Sequence, residues 1–167
     1  ISSACVKADT IKEAIEKLVS AGFMNIELSG GTKYYEGIET DLLELKEKYA
    51  LNLLCHNYFP PPPTPFVLNI ASLDKRVSEL SVQHILKTIN LSKALNAQKF
   101  AFHAGFTVDI PVDEIGKKIN RKKLFDRHKA FEVFCKNYRF ITDNMAKGIT
   151  LYIENNVLSK SNFESYQ

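Results

Sequence analysis

The chain has 167 residues, of which 45% are hydrophobic and 25% charged, a composition typical of a globular protein with one sizeable core. No apolar run approaches the ~18 residues of a membrane-spanning helix, and the first residues lack the layout of a signal peptide. A net charge of +3 is too small to indicate a nucleic-acid partner by itself. The three cysteines lack the spacing of a zinc motif, so they predict reduced thiols and a cytoplasmic protein.

Short apolar runs alternate with helical patterns along the chain. The predicted strands are residues 1–6, 25–29, 51–55, 99–102 and 149–153. Strands joined by connections long enough to cross over indicate a parallel sheet. A glycine-rich phosphate loop does not follow the first strand, which disfavours a dinucleotide-binding fold.

Helices are predicted between these strands. Thr10 and Glu13 form a capping box for the first helix, which Gly22 ends. Ser72 is predicted to cap a longer helix. The last long helix, residues 122–147, is predicted to bury one stripe of side chains: Leu124, Phe131, Cys135, Tyr138, Ile141 and Met145.

Alternation within the strands separates an apolar face from a polar face, because successive side chains of a strand point to opposite sides. The polar face ends, at the carboxyl side of three strands, in His56, His103 and Glu154, and Glu27 shares that face on the second strand. Parallel α/β folds build their sites at the carboxyl ends of strands. These side chains are therefore the candidate site.

Two imidazoles and a carboxylate make a three-ligand set for a divalent ion and leave a position open for water or substrate. Histidine ligands favour Zn, Mn or Co, while a carboxylate also suits Mg or Mn. His84 and His128 fall within helical patterns beside apolar stripes and predict edge-of-core or surface residues. Cys55 has the parity of the apolar face, which favours a core residue over a nucleophile.

A proline run follows His56 in the segment LCHNYFPPPPTPFVLN, residues 54–69. Prolines fix φ and donate no backbone hydrogen bond, so residues 60–63 predict a stiff extended loop after the strand ends. We expect this loop to form a rim, with Tyr58, over a cavity shared by His56, His103 and Glu154.

Four motifs occur in order along the chain: GFMNIELSGG, CHNYFP…FVLNIASLD, FHAGFTVD and GITLYIENN. In this order they resemble successive strand ends of the xylose isomerase-like TIM barrels, which include sugar and sugar-phosphate isomerases and epimerases and metal-dependent AP endonucleases. The resemblance implies a (β/α)8 barrel in which Glu154 binds metal. It implies that His56 and His103 bind zinc, as in the endonucleases, or line the substrate pocket, as in the isomerases, and that Glu27 faces the pocket.

Two features depart from that family pattern. A full barrel takes about 250 residues, so this chain, a single partial domain over residues 1–167, is expected to hold strands 1–5 only. Either it is a piece of a longer protein or a partner completes it, which leaves a homo-oligomer open. The proline insertion also stands where the endonucleases carry a DNA-wedging loop, and this disfavours nucleic acid as a partner.

The function expected from the residues and the resemblance is that of a divalent-metal-dependent isomerase or epimerase. Its substrate would be a sugar or sugar phosphate reacting through an enediolate. Glu154 is the expected catalytic and metal-binding residue, with His56 and His103 as further metal ligands. Substrate contacts are expected from Glu27, Tyr58 and the same two histidines. The alternatives are an AP endonuclease-like phosphodiesterase, whose phosphate contacts would come from basic residues 117–123, and a non-catalytic truncated barrel.

Overall fold

The computed structural model of the chain describes residues 1–120, 123–155 and 159–164. Arg121, Lys122 and Asn156, which belong to the basic run and to the last polar strand face, lie outside the described residues. None of the described helices is long and apolar enough to cross a membrane. In chain order the described elements are α1 (Ile11–Ser20), β1 (Asn25–Leu28), α2 (Ile38–Tyr49), β2 (Asn52–Cys55), α3 (Lys75–Ala94), β3 (Lys99–His103), α4 (Arg127–Asn144), β4 (Thr150–Glu154) and α5 (Lys160–Glu164).

The strands form two parallel pairs, as the alternation of strands and helices predicts. β1 and β2 run parallel, with Asn25 opposite Asn52 and Leu28 opposite Cys55. β3 lies beside β4. Backbone bonds link the two strands in the same order at both ends, from Thr150 N–H to the Gln98 carbonyl and from Ala104 N–H to the Glu154 carbonyl. Parallel strands that alternate with helices make an α/β fold, of which the described residues supply four strands.

The predicted strand at residues 1–6 is not formed. Ser2 makes a single parallel bridge to Glu27, and Ser3–Cys5 is a 3-10 turn. The Ser2 hydroxyl accepts a hydrogen bond from Ala4 N–H, and the Ser3 hydroxyl accepts one from Ser29 N–H at 2.8 Å. The local bond from Ala4 N–H to the Ser2 hydroxyl competes with a strand ladder, which explains the turn.

Two helix starts show which side chains cap them. Thr10 caps α1 by accepting from Glu13 N–H at 3.2 Å, as predicted, while the Glu13 carboxylate accepts from Asp9 N–H. At α3 the cap is Asp74, whose carboxylate accepts from the N–H groups of Arg76 and Val77. Ser72 instead accepts from Asp74 N–H, so its predicted role as helix cap is wrong by two residues.

The chain forms two compact units. The first unit comprises Ile1–Thr64, Ile85–Phe102 and Met145–Tyr152, and the second comprises Pro65–His84, His103–Asn144 and Ile153–Gln167. Each fully buried Leu, Ile or Phe contributes roughly 1.5–3 kcal/mol to folding. In the first unit these side chains include Ile11, Ile15, Leu18, Ile26, Leu28, Leu42, Phe59, Ile85, Ile89, Phe100 and Phe102. In the second unit the buried apolar residues include Leu68, Ile70, Val82, Val108, Ile119, Ala130 and Ile141. The prediction of one domain over residues 1–167 stays a prediction.

The predicted buried stripe of the last long helix is wrong at two positions. Phe131 is 62% exposed and Leu124 47% exposed, whereas Ala130 and Ile141 are buried. Leu124 precedes the first residue of α4 and therefore does not share its periodicity. Phe131 is one residue, or about 100° of helical turn, away from the buried position that Ala130 occupies.

Asp41, on α2, accepts one hydrogen bond from α1 and one from the loop that precedes α2. Its carboxylate accepts from Lys12 Nζ at 3.0 Å and from the Tyr35 hydroxyl at 2.9 Å. The hydrogen bond from Lys12 holds the pKa of Asp41 below its ordinary value. Burial, together with the bond to Asp41, raises the pKa of Tyr35.

Replacing Asp41 by Asn should destabilise the protein at pH 7 more than at pH 3. The folded-state pKa of Asp41 is lowered, so its contribution is present above the unfolded-state value of about 3.9 and is lost as pH falls through the folded-state value. Urea unfolding of wild type and Asp41→Asn at both pH values measures this difference. Glu47→Gln, at an exposed position of the same helix, is the control. An Asp41→Asn penalty that is equal at pH 7 and pH 3 would contradict the assignment.

Candidate functional site

Three of the four strands present the predicted apolar and polar faces. In β3, Phe100 and Phe102 are buried, while Ala101 and His103, on the other face, are partly exposed. β1 and β2 show the same alternation, with Glu27 partly exposed between buried residues. β4 departs from it, because Ile153 is 45% exposed although its parity assigns it to the apolar face.

The first candidate pair, Glu27 with His56, belongs to the first unit. Parallel pairing sets Glu27 opposite Leu54, and His56 N–H donates to the Leu28 carbonyl at 2.9 Å, one residue past the strand. Glu27 Oε1 and His56 Nε2 therefore lie 3.9 Å apart, with both side chains about 40% exposed. That separation is too long for a direct hydrogen bond.

The second candidate pair, His103 with Glu154, belongs to the second unit and stands at the ends of β3 and β4. His103 Nδ1 lies 3.8 Å from Glu154 Oε2. This nitrogen is buried and has no hydrogen-bond partner within the described ranges. Buried polar atoms are nearly always paired, so this nitrogen has an unused hydrogen-bonding position beside Glu154.

The loop after β2 is anchored in the first unit. Phe59 is fully buried, and its carbonyl accepts from the Thr88 hydroxyl at 2.7 Å. Pro60 and Pro61 are buried, whereas Pro63 is exposed. Tyr58 is partly exposed, and its Cδ1 would lie 3.9 Å from a Cβ placed at Gly30. The loop is thus held by packing, and its predicted place over a shared cavity stays a prediction.

The donor atoms of the two pairs suit a divalent metal ion. Each pair combines an imidazole with a carboxylate, and two ligand atoms bound at about 2.1 Å to one ion lie roughly 3–4 Å apart. Separations of 3.8 and 3.9 Å and the unpaired Nδ1 of His103 are compatible with such binding. The residues present therefore fit a metal ion as partial ligand sets.

A complete protein ligand set is not found in the part of the chain that the structure describes. There, no group of three or more His, Cys, Asp or Glu side chains is arranged to hold a metal ion. Catalytic zinc sites use three protein ligands, whereas Mg²⁺ and similar hard ions bind through one or two carboxylates and keep waters. The predicted three-ligand set of His56, His103 and Glu154 stays a prediction.

Residues set aside by the sequence patterns lie where those patterns placed them. His84 is buried with its ring 5.9 Å from that of Phe66, and His128 is exposed with its Nε2 3.4 Å from Glu132. Cys55 is 2% exposed, as expected for a core residue.

No sequence pattern assigns a role to Asn69, although this residue makes many of the hydrogen bonds in the second unit. It is 1% exposed within an apolar run. A buried amide must satisfy its donors and acceptor, and that requirement is the signal that would have identified it.

Comparison with known proteins places the chain in a family. The xylose isomerase-like TIM barrel family matches residues 15–161. No curated protein matches the sequence.

Solved structures share the fold at low sequence identity. A D-tagatose 3-epimerase-like protein is 21% identical with a TM-score of 0.67, over 96% of this chain and 53% of its own. D-Psicose 3-epimerase from Clostridium cellulolyticum is 16% identical with a TM-score of 0.59, over 93% and 49%. Endonuclease IV from Thermus thermophilus is 13% identical with a TM-score of 0.50, over 93% and 50%. The chain thus spans about half the length of these structures.

Cys55 should resist alkylation in the folded protein although it adjoins His56. Burial raises the pKa of its thiol to about 12, and the thiolate is the reactive form. Iodoacetamide at pH 8, followed by mass spectrometry, should modify the exposed Cys5 readily and Cys55 only after unfolding in urea. Modification of folded Cys55 at the rate of Cys5 would contradict a purely structural role for it.

Proposed function

Because this chain belongs to the xylose isomerase-like TIM barrel family, we propose that it acts as a divalent-metal-dependent isomerase or epimerase of a sugar or sugar phosphate. The reaction proceeds through an enediolate, formed when the proton on the carbon beside the substrate carbonyl is removed. The observation that carries this proposal is the His103–Glu154 pair at the carboxyl ends of β3 and β4, with a separation of 3.8 Å.

Glu154 is the proposed base in this reaction. Its side chain is 45% exposed, so a substrate can reach the carboxylate. A carboxylate that takes a proton from carbon and returns it to the neighbouring carbon gives isomerisation, whereas epimerisation needs a second group that protonates the enediolate from the opposite face. His103, beside it, donates a hydrogen bond to a substrate oxygen when its ring nitrogen carries a proton.

Glu27, His56 and Tyr58 are the proposed substrate-binding residues of the first unit. Sugar hydroxyl groups both donate and accept hydrogen bonds, which matches an acceptor carboxylate and an imidazole whose two nitrogens differ in role. The Tyr58 ring supplies an apolar wall of the kind that binds the C–H face of a sugar. The buried Phe59 and Pro60 next to it fix the loop, so little chain entropy is lost on binding.

A divalent ion, Mn, Zn, Mg or Co, would be held by His103 and Glu154, with His56 as a proposed third ligand. When bound, it supplies Lewis-acid stabilisation of negative charge that develops on substrate oxygens. The two-ligand set of the second unit favours an ion such as Mn²⁺ or Mg²⁺, which keeps several waters.

The second candidate activity is a metal-dependent phosphodiesterase on abasic DNA. Imidazole and carboxylate donors are also the ligands of zinc sites, and Lys117 and Lys118 are exposed in the basic run. The proline loop after His56 disfavours this activity. Cleavage of an abasic duplex, with binding that weakens as salt rises, would favour it over the isomerase.

Glu154→Gln should abolish most of the proton transfer. In the full-length protein loaded with Mn²⁺, we expect deuterium from the solvent to replace the hydrogen on the carbon beside the carbonyl of a ketose. NMR measures this exchange over a panel of sugars and sugar phosphates. General acid–base groups contribute about 10²–10⁴-fold, so the exchange rate should fall by that factor in Glu154→Gln.

Glu132→Gln is the matched control for Glu154→Gln. Glu132 also lies beside an imidazole, that of His128 at 3.4 Å, but on the exposed surface of α4. Its exchange rate should equal that of wild type. If no bound divalent ion and no exchange with any added metal is found across the panel, the isomerase proposal is wrong.

His56→Ala should lower metal occupancy or turnover far more than stability. The His56 side chain is 40% exposed, and substitutions at such sites usually change the free energy of unfolding by about 0.5 kcal/mol or less. Metal content by mass spectrometry and turnover are compared with the urea midpoint, with His128→Ala as control. If metal occupancy and turnover fall only in proportion to stability, His56 has a structural role and the proposal for this residue is wrong.

A further inference from the structure

We propose that Asn69 is a positioning residue that sets the place of His103. It lies in the segment between the proline loop and α3, within the second unit. Its side chain makes several hydrogen bonds to the segment after β3, and no sequence pattern predicts them. The inference rests on the proposed function only for the importance of His103, since the contacts themselves are independent of it.

The amide of Asn69 binds the segment after His103 through both of its ends. Nδ2 donates to the Phe106 carbonyl at 3.0 Å, to the Val108 carbonyl at 3.2 Å and to Asp109 Oδ1 at 2.9 Å. Oδ1 accepts from Phe106 N–H at 2.9 Å and from Ala71 N–H at 3.1 Å. Two N–H donors against one oxygen acceptor fix the orientation of the amide, since a flipped group would oppose all five partners.

Asn69 is itself held in place by its neighbours. Its backbone N–H donates to the Ser81 hydroxyl at 2.8 Å, which ties it to α3. Ser72 donates to the other carboxylate oxygen of Asp109 at 2.7 Å. Asn69 is therefore a fixed part of the second unit, and the 106–109 segment is bound to it.

Gly105 brings the backbone close to this amide. Its φ is +100°, and a Cβ placed there would lie 2.7 Å from Asn69 Oδ1 and 3.0 Å from the Ala71 Cβ. Such distances require something to shift, and an L side chain at that φ is strained. Glycine at this position thus serves the contact with Asn69.

These contacts reach His103 through two residues of backbone. Ala104 N–H donates to the Glu154 carbonyl at 3.2 Å, so the segment is bound to β4 on one side and to Asn69 on the other. His103 Nδ1 has no hydrogen-bond partner within the described ranges, so no bond at this atom orients the ring. The imidazole is therefore directed by the backbone that Asn69 holds.

Asn69→Asp is the sharpest test, because it keeps the shape and the acceptor and removes both donors. A carboxylate oxygen would then face two carbonyls and the Asp109 carboxylate, and their repulsion should displace the segment. In histidine-selective NMR spectra of the full-length protein, with the signal assigned by His103→Asn, the His103 signal should move by more than its linewidth. The His128 signal should not move. If Mn²⁺-dependent turnover is present, kcat should fall by about tenfold or more, since small misplacements cost large factors.

Asn137→Asp is the control for a merely structural effect. Asn137 also donates two hydrogen bonds in the second unit, to the Ile70 carbonyl at 2.7 Å and to the Ser78 hydroxyl at 2.8 Å, and neither partner belongs to the segment after β3. The variant should lower the melting temperature and leave the His103 signal in place. An unchanged His103 signal in Asn69→Asp, or an equal change in Asn137→Asp, would overturn the proposal.

Gly105→Ala tests the same contact if Asn69→Asp does not fold. It should move the His103 signal, whereas Gly116→Ala, at a φ of +73° with no described atom within 4 Å of the added Cβ, should not. Equal responses of the two glycine variants would show that backbone strain alone is responsible and would overturn the proposal. Because these spectra require no substrate, failure of the proposed function and failure of this inference are distinguishable.

Discussion

Parallel pairing of neighbouring strands is the constraint on which the rest of this structure depends. Within each pair the strands end at the same side, and alternate side chains point to the same face. The register of β1 on β2 therefore brings Glu27 to His56, and the pairing of β3 with β4 brings His103 to Glu154. The chemistry at the strand ends is a consequence of the ladder.

Hydrogen bonds are distributed unevenly between the Asn69 amide and the strand ends. The amide has every donor and acceptor filled. In the two imidazole–carboxylate pairs, the imidazole nitrogen and the carboxylate oxygen lie 3.8 and 3.9 Å apart and form no direct hydrogen bond. A buried polar group left unpaired costs about 1–3 kcal/mol, which explains why the buried amide is fully bonded. A ligand-binding site requires titratable groups whose hydrogen-bonding positions are not all used, held in place by rigid surroundings.

The fold alone leaves the chemistry open, because TIM barrels carry many unrelated reactions. Residues at the strand ends narrow the choice. Imidazole and carboxylate in pairs suit a divalent ion and proton transfer, and a partly buried proline loop follows His56 in the chain. A metal that binds through few protein ligands and retains water fits the described donors better than one that needs a closed cage.

The sequence by itself determined the order of strands and helices after residue 6, the polar parity of the strands that carry Glu27 and His103, and the burial of Cys55. Those features follow from local periodicity, which a single chain displays directly. Tertiary structure decided that residues 1–6 form a bridge and a turn, that Asp74 caps α3, and that Phe131 faces outward. It also decided the hydrogen bonds of Asn69, whose partners after β3 lie 37 to 40 residues away along the chain. Contacts between distant segments depend on how the faces of helices and strands pack and on which polar groups they bury. The periodicity of the sequence does not predict such contacts.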